Sequence, residues 1–150
     1  MTPEQLELVA TDCRVLAPKM PVIAAAFYGT LLAQRPDLEL VFQLDDAERV
    51  SMFAARLDEL LASLGDIDLL VQRGAALGAR HLRYGVRSSD YEAAGDALLD
   101  AVHREIDLPL TPARLDAWRS AVRLITESMM QGARPGVAER RERREYTSPW

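Results

Sequence analysis

His81 is one of two histidines in 150 residues, and its side chain is the one best suited to bind a metal. On a helix it shares one stripe with four residues at steps of three or four, namely Leu70, Gly74, Leu77 and Tyr84. A neutral imidazole on such a stripe offers one ring nitrogen to a metal and keeps the other for a hydrogen bond. The alternative for a lone histidine on an apolar face is a core residue with satisfied hydrogen bonds.

The elements that must position His81 are helices, because almost every segment has helical period and none alternates with period two. We predict six, beginning near residues 2, 21, 45, 67, 89 and 111. Three starts carry the spacing of a capping box, in which a side chain before the helix and one three residues later cap each other. These pairs are Thr2 with Gln5, Asp45 with Glu48, and Ser89 with Glu92. The predicted class is all-α, either a helix bundle or a globin-like packing, and periodicity alone does not separate the two.

Composition sets the broad limits. Hydrophobic residues make up 49% and charged residues 27% of the chain, as in ordinary globular domains. The net charge of −5 provides no basic face for nucleic acid. The one cysteine, Cys13, excludes an internal disulfide and a cysteine-based metal cluster. We see no apolar run near the roughly 20 residues that cross a bilayer, and the acidic N-terminus does not resemble a signal peptide. We therefore expect a cytoplasmic domain over residues 1–132 with no membrane partner.

The last stretch, residues 133–150, departs from the helical pattern. It contains the run ERRERRE from Glu139 to Glu145 and ends in Tyr146 and Trp150. A charge run of this kind is typical of a solvated tail or a short charged helix. The alternative is a docking segment for a partner, with an aromatic end.

Three blocks give a more specific indication. FYGTLLAQRPDLELVF spans residues 27–42, RHLRYGVRSSDYEAAGDALL spans residues 80–99, and TPARLDAWRSAV spans residues 111–122. Their order and spacing resemble the bacterial single-domain globins of the flavohaemoglobin-like group over about residues 2–132. The resemblance implies a globin fold, helices packed around a pocket for haem b (iron protoporphyrin IX).

The resemblance also implies a role for individual residues. His81 matches the proximal iron ligand, and Tyr91 matches the tyrosine behind it. Val86 matches a residue at the haem edge. Leu77 lies one turn before His81 on the same stripe, and Arg80 is one of three arginines beside it suited to pair with a haem propionate.

On the distal side, Tyr28 matches a tyrosine whose hydroxyl donates to a bound gas. Arg49 matches the distal position of the next long helix and offers a charged donor. Phe53 lies one turn further and narrows the space for a ligand, and Phe42 matches the aromatic residue that wedges the haem. The second histidine, His103, is in phase with aspartates on a polar face, so we expect it at the surface and not at the iron.

Two departures from the family pattern bear on chemistry. Ala133 stands where flavohaemoglobins carry a glutamate that completes a relay behind the proximal histidine. The proximal ligand therefore lacks a carboxylate that would strengthen it, which argues against peroxidase-like or oxygenase-like activation. No flavin or nicotinamide domain follows, so we expect turnover to require an external reductase.

Several functions stay open at this point. The first is reversible binding of the diatomic gases O2, NO and CO, together with nitric oxide dioxygenation if an external reductase supplies electrons. The second is a haem-based gas sensor or interaction module that signals through the charged tail. A haem-free globin and a non-globin bundle are further alternatives. A homodimer is also open, because globin-like chains often pair through their last two long helices.

Overall fold

Six α-helices make up most of the chain that the computed structural model describes, residues 1–41 and 46–134. No strand occurs within these ranges, so the predicted all-α class is confirmed there. The 3₁₀ helices Ala17–Lys19 and Pro36–Val41 flank the second α-helix. The α-helices are α1 (Pro3–Leu16), α2 (Met20–Gln34), α3 (Asp46–Leu61), α4 (Ile67–Arg83), α5 (Ser88–Glu105) and α6 (Pro112–Gly132).

Two of the predicted helix starts have the expected caps. The Gln5 N–H donates to the Thr2 hydroxyl at 3.2 Å, and the Thr2 N–H donates to the Gln5 side chain at 3.0 Å, which is the predicted capping box. The Thr111 hydroxyl accepts from the Arg114 N–H at 3.3 Å and begins α6. The box predicted from Asp45 lies outside the described residues, as do residues 135–150 of the predicted tail.

The capping box predicted for α5 is wrong. The helix begins at Ser88, one residue before Ser89. Its cap is the carboxylate of Asp90, which accepts the Arg87 N–H at 2.8 Å. Asp90 takes the capping role that we predicted for Glu92, because the N-cap residue is Arg87, two residues before Ser89.

The helix that carries His81 packs most extensively against α6. Two glycines of α4, Gly74 and Gly78, lie in that contact and allow α6 to approach the backbone of α4 closely. A Cβ added at Gly78 would lie 1.8 Å from the carbonyl oxygen of Met129, and one added at Gly74 would lie 1.9 Å from Oγ of Ser128. Gly132 of α6 is equally close to the α4 backbone. The absence of side chains at these positions sets the position of α4 and hence of His81.

A buried polar group joins α1 to α6. Asp12 is fully buried and accepts from Arg114 Nε at 3.0 and 3.1 Å and from the Trp118 indole N–H at 2.9 Å. The Arg114 guanidinium also donates to the Pro109 carbonyl. A buried charge is tolerated only when it is paired and hydrogen-bonded, as here.

The segment Pro3–Gln34, which comprises α1 and α2, contains an 18-residue stretch with a mean hydropathy of 1.5, and is therefore long and apolar enough to cross a membrane by length and composition alone. Our expectation that no run has this property is therefore wrong. A core helix of a globular protein has the same composition. The segment is interrupted at Ala17–Lys19, where the Lys19 ammonium donates to the Glu105 carbonyl at 2.7 Å and pairs with Asp107 at 2.6 Å. The apolar faces of both helices contribute to the core, through Val9, Leu16, Ile23, Phe27 and Leu31.

Candidate functional site

His81 lies in the last turn of α4, half-buried, with its ring fixed by the backbone one turn earlier. Its Nδ1 is 2.8 Å from the carbonyl oxygen of Leu77. A carbonyl only accepts, so this bond places the proton on Nδ1. The other ring nitrogen, Nε2, is then unprotonated in the neutral imidazole and has no hydrogen bond to any described residue. An imidazole that is held in one orientation, with its Nε2 not hydrogen-bonded, is suited to bind a metal.

The electrostatics favour the form that binds metals. Burial lowers the pKa of His81 below its ordinary value, and the neighbouring Arg80 cation lowers it further, while the hydrogen bond to Leu77 acts in the opposite direction. A metal ligand must be a neutral imidazole, since protonation at Nε2 would block the site. The surroundings of His81 therefore keep it neutral at neutral pH.

Tyr91 of α5 lies next to His81. The two ring centroids are 6.4 Å apart with a tilt of 41°. Tyr91 is only 4% exposed, and burial raises its pKa to about 12. Its hydroxyl is enclosed and has no hydrogen-bond partner within the described part of the chain. Ala133, the position at which the resemblance compares an alanine here with a glutamate in flavohaemoglobins, is the C-cap of α6.

The turn after His81 is built on its carbonyl oxygen. The Tyr84 N–H donates to that oxygen at 3.0 Å and the Val86 N–H at 3.2 Å. Gly85 has a φ of +81°, in the left-handed region that favours glycine. This conformation reverses the chain and places the half-buried Val86 beside the end of α4.

An aromatic cluster on α2 and α3 contains the predicted distal residues. Phe53 of α3 stacks on Phe27 of α2 with ring centroids 4.5 Å apart. Tyr28 meets both rings edge to face, at 5.1 Å from Phe27 and 5.5 Å from Phe53. Sequence reasoning named Tyr28 and Phe53 as site residues but not Phe27, which the structure buries in the core. The signal for Phe27 was its place beside Tyr28 in the sequence.

Arg49 joins this cluster from the first turn of α3. Its guanidinium carbon lies 5.5 Å from the centroid of the Tyr28 ring, a cation–π distance. Burial raises the pKa of the Tyr28 hydroxyl to about 12, and the Arg49 charge reduces that effect. The phenol therefore stays protonated, and a donor, across the physiological range.

Leu77 and Arg80 line a cleft between α3 and α4. The cleft has a volume of about 150 Å³, and Arg80 is exposed at its edge. Its remaining lining residues, from both helices, are Arg56, Glu59, Leu60, Arg73 and Ala76.

The predicted site residues thus fall into two clusters. The proximal cluster comprises His81, Leu77, Val86 and Tyr91, and the distal cluster comprises Tyr28, Arg49 and Phe53. Within the proximal cluster His81 contacts Leu77 and Tyr91, and within the distal cluster Tyr28 contacts Arg49 and Phe53. Phe42, the predicted wedge, lies outside the described residues.

His103 is not the surface residue that we expected. It is half-buried on α5, and its Nε2 is enclosed without a hydrogen bond to a described residue. The polar face on which it lies is covered in part by α6, whose Arg119 charge acts on it. Burial and that charge lower the pKa of His103.

Comparison with known proteins decides the family. The family model for Globin matches residues 25–129. The chain belongs to the globin family. Among curated relatives it is similar to the flavohemoproteins of Bacillus subtilis (22% identical over 128 residues), Bordetella pertussis (24% over 124) and Deinococcus radiodurans (25% over 133). These alignments cover 83%, 81% and 87% of the chain but only 32%, 31% and 33% of the relatives. The chain therefore spans about a third of their length.

Membership of the globin family implies haem binding in general, and the residues present fit such a group. His81 offers a neutral, oriented nitrogen from α4. The distal cluster offers aromatic surface and a hydroxyl from α2 and α3. This donor set of one imidazole in apolar surroundings suits haem iron. No group of three or more metal-ligating side chains occurs in the described part of this globin chain, so a bare metal ion has no comparable site there.

Sequence reasoning missed one polar group beside the proximal cluster. Asp90, at the start of α5, is 2% exposed and pairs with the Arg35 guanidinium from the end of α2. Its position within the first turn of a helix was visible in the sequence, but its partner, 55 residues away, was not.

Proposed function

We propose that this globin binds haem b through His81 and holds diatomic gases, O2, NO and CO, reversibly at the iron. The observation that carries the proposal is the hydrogen bond between His81 Nδ1 and the Leu77 carbonyl, 2.8 Å long. It leaves Nε2 with its lone pair available, on a ring whose pKa burial lowers. A metal ligand must present an unprotonated ring nitrogen, and this hydrogen bond provides one at a fixed ring orientation.

The distal cluster supports gas binding specifically. When bound, haem iron supplies the coordination site for the gas, and the protein supplies the surroundings. The Tyr28 hydroxyl, with its pKa raised to about 12, is a donor that does not ionise at neutral pH. Arg49 lies against the Tyr28 ring and limits its freedom. The stacked rings of Phe27 and Phe53 add apolar surface beside the hydroxyl-bearing ring.

We expect the exposed Arg80, one residue before His81, to pair with a haem propionate. It stands at the edge of the cleft that Leu77 also lines. A guanidinium holds a carboxylate with two parallel hydrogen bonds, and it does so best at the border of protein and solvent, where its charge stays hydrated.

The proximal side favours gas binding over oxygen activation. The acceptor behind His81 is a backbone carbonyl, which is neutral. A carboxylate in that place makes the imidazole a stronger donor to iron, and none of the described acidic side chains is bonded to His81 or Tyr91.

The test is a visible spectrum of the protein loaded with haem, taken in the ferric state, after reduction, and after exposure to O2 and CO. We expect a Soret band that shifts with each ligand. His81→Ala should weaken or alter the band, and His103→Ala is the matched control because it removes the other histidine and should leave the spectrum unchanged. Two results would contradict the proposal: binding of less than one haem per chain, or a spectrum that is the same in His81→Ala as in the wild type.

A second arm addresses Tyr28. Tyr28→Phe keeps the ring contacts and removes only the hydroxyl. A hydrogen bond to a charged or strongly polarised acceptor contributes about 1.5–3 kcal/mol, so we expect O2 to dissociate about 10- to 100-fold faster. CO, a weaker acceptor, should be affected less. Equal dissociation rates in wild type and Tyr28→Phe would show that the hydroxyl does not face the gas.

A further inference from the structure

A buried carboxylate lies immediately behind the turn that follows His81. Asp90 is 2% exposed, and its Oδ2 accepts the Arg87 backbone N–H at 2.8 Å. Its Oδ1 pairs with the guanidinium of Arg35, whose side chain is 21% exposed. The charged side chain of Arg87 is 3.9 Å from the same carboxylate but 67% exposed, so it adds little. Arg35 is therefore the cation that makes burial of Asp90 tolerable.

Arg35 is held in turn by a second carboxylate. Its Nε donates to Asp37 at 3.0 Å and a terminal nitrogen donates to the other oxygen at 2.7 Å, a bidentate pair. These bonds lower the pKa of Asp37. Arg35 is the C-cap of α2, and Asp37 lies in the 3₁₀ helix Pro36–Val41. One guanidinium thus joins the end of α2, the following turn and the start of α5.

The path from Asp90 to His81 is short. Asp90 fixes the N–H of Arg87. The preceding N–H, of Val86, donates to the carbonyl of His81 at 3.2 Å. The turn from Tyr84 to Arg87 is therefore held at one end by His81 and at the other by Asp90. Gly85 lies within it with a φ of +81°, and its N–H donates to the Leu82 carbonyl at 3.0 Å, so the Asp90 carboxylate is the side-chain attachment of a turn otherwise held by the end of α4.

We propose that Asp90, held by Arg35, is a positioning residue for His81. Fixing the Tyr84–Arg87 turn fixes the last turn of α4 and with it the direction of the imidazole and the place of Val86. The consequence for haem rests on the function proposed above, whereas the consequence for the turn does not. The competing explanation is an ordinary helix cap that stabilises α5 and does nothing for His81.

The experiment uses graded variants. Asp90→Asn keeps an oxygen for the Arg87 N–H and loses the charge that pairs with Arg35, while Asp90→Ala loses both. Arg35→Met removes the cation from the other side. The matched control is Asp100→Asn, which removes a partly exposed carboxylate of the same helix from its pair with Arg104 at 2.6 Å.

The first readout is on the haem-free protein, by amide hydrogen exchange and by nitrogen NMR of the His81 ring. We expect exchange to accelerate at the amides of Val86 and Arg87, in the order wild type, Asp90→Asn, Asp90→Ala. The protected Nδ1 proton of His81 should be lost in Asp90→Ala. Asp100→Asn should change neither. A helix cap alone would accelerate exchange along α5 and leave the ring signal in place, and that pattern would overturn the proposal.

The second readout is the rate of haem loss to an acceptor globin. Removal of a residue that orients a metal ligand typically costs 10- to 100-fold in metal affinity, so we expect haem to dissociate at least about tenfold faster from Asp90→Ala and Arg35→Met. Unchanged haem loss with an altered His81 signal would also contradict the proposal. If the wild type binds no haem, the proposed function fails, and the readout on the haem-free protein still decides whether Asp90 positions His81.

Discussion

Replacing Gly78 by alanine should force apart the two helices that support His81. A Cβ at this position would lie 1.8 Å from the Met129 carbonyl oxygen and 2.6 Å from its carbonyl carbon, whereas real Cβ contacts are essentially never shorter than 3.0 Å. The atoms that it meets belong to the backbone of α6, which cannot rotate away as a side chain can. The helices would have to separate by about 1 Å in an interior that is otherwise close-packed.

Two opposing effects decide the magnitude. Alanine is a better helix former than glycine by about 1 kcal/mol. Overpacking a core costs about 1–3 kcal/mol, and contact with backbone places this case at the upper end. The net result is a loss of about 1–2 kcal/mol in the free energy of unfolding. For a chain of this length that lowers the melting temperature by about 2–8 °C.

The chain provides its own control for this prediction. An added Cβ at Gly29 of α2 would meet nothing within 4 Å, so Gly29→Ala gains helix propensity without overlap and should raise the melting temperature by a few degrees. Urea and thermal unfolding of the two variants should therefore give shifts of opposite sign. A Gly78→Ala protein as stable as the wild type would refute the backbone contact between α4 and α6.

Two further predictions concern stability. Asp12→Ala leaves the Arg114 guanidinium and the Trp118 N–H without their shared acceptor, so urea unfolding should show a loss of about 3–5 kcal/mol. Asp116→Ala, which breaks an exposed pair with Arg119, should change the unfolding free energy by less than about 1 kcal/mol. The other prediction concerns the dependence of stability on pH. Burial lowers the pKa of both His81 and His103 below 6.5 in the folded protein. The unfolded chain therefore takes up protons at a higher pH than the folded chain does. The stability of the haem-free protein should thus be complete above pH 6.5 and decrease below it. His103→Gln should remove part of that slope in urea titrations, and an unchanged slope would contradict the burial of His103.

Local features of the fold were predictable from the sequence. The start of α1 follows from a capping pair three residues apart, Thr2 and Gln5, and the start of α6 follows from Thr111 before a proline. The apolar period of α4 placed His81 on an inward stripe, and the structure has it half-buried there. Patterns of this kind depend on residues within one or two turns of each other, which is the range over which sequence periodicity carries information.

Long-range pairings were not predictable. Asp12 meets Trp118 across 106 positions of sequence, and α1 gives no local sign that an acidic residue should be buried. Asp90 was not singled out, because the predicted capping pair was Ser89 with Glu92, and its partner Arg35 lies 55 residues earlier at the end of α2. The prediction that His103 lies at the surface is wrong for the same reason, because α6 partly covers the polar face of α5. In each case tertiary packing overrides a correct local reading.

The side of His81 that faces the protein determines what kind of site it can be. Its N–H is directed to a neutral carbonyl, and the nearest aromatic neighbour, Tyr91, has an enclosed hydroxyl without a hydrogen-bond partner among the described residues. In the proposed haem site, a neutral carbonyl as the acceptor of the His81 N–H would leave the imidazole a modest electron donor. A modest donor suits a site that holds and releases a gas better than one that cleaves it, which is why the proximal cluster, more than the fold, supports the proposed function.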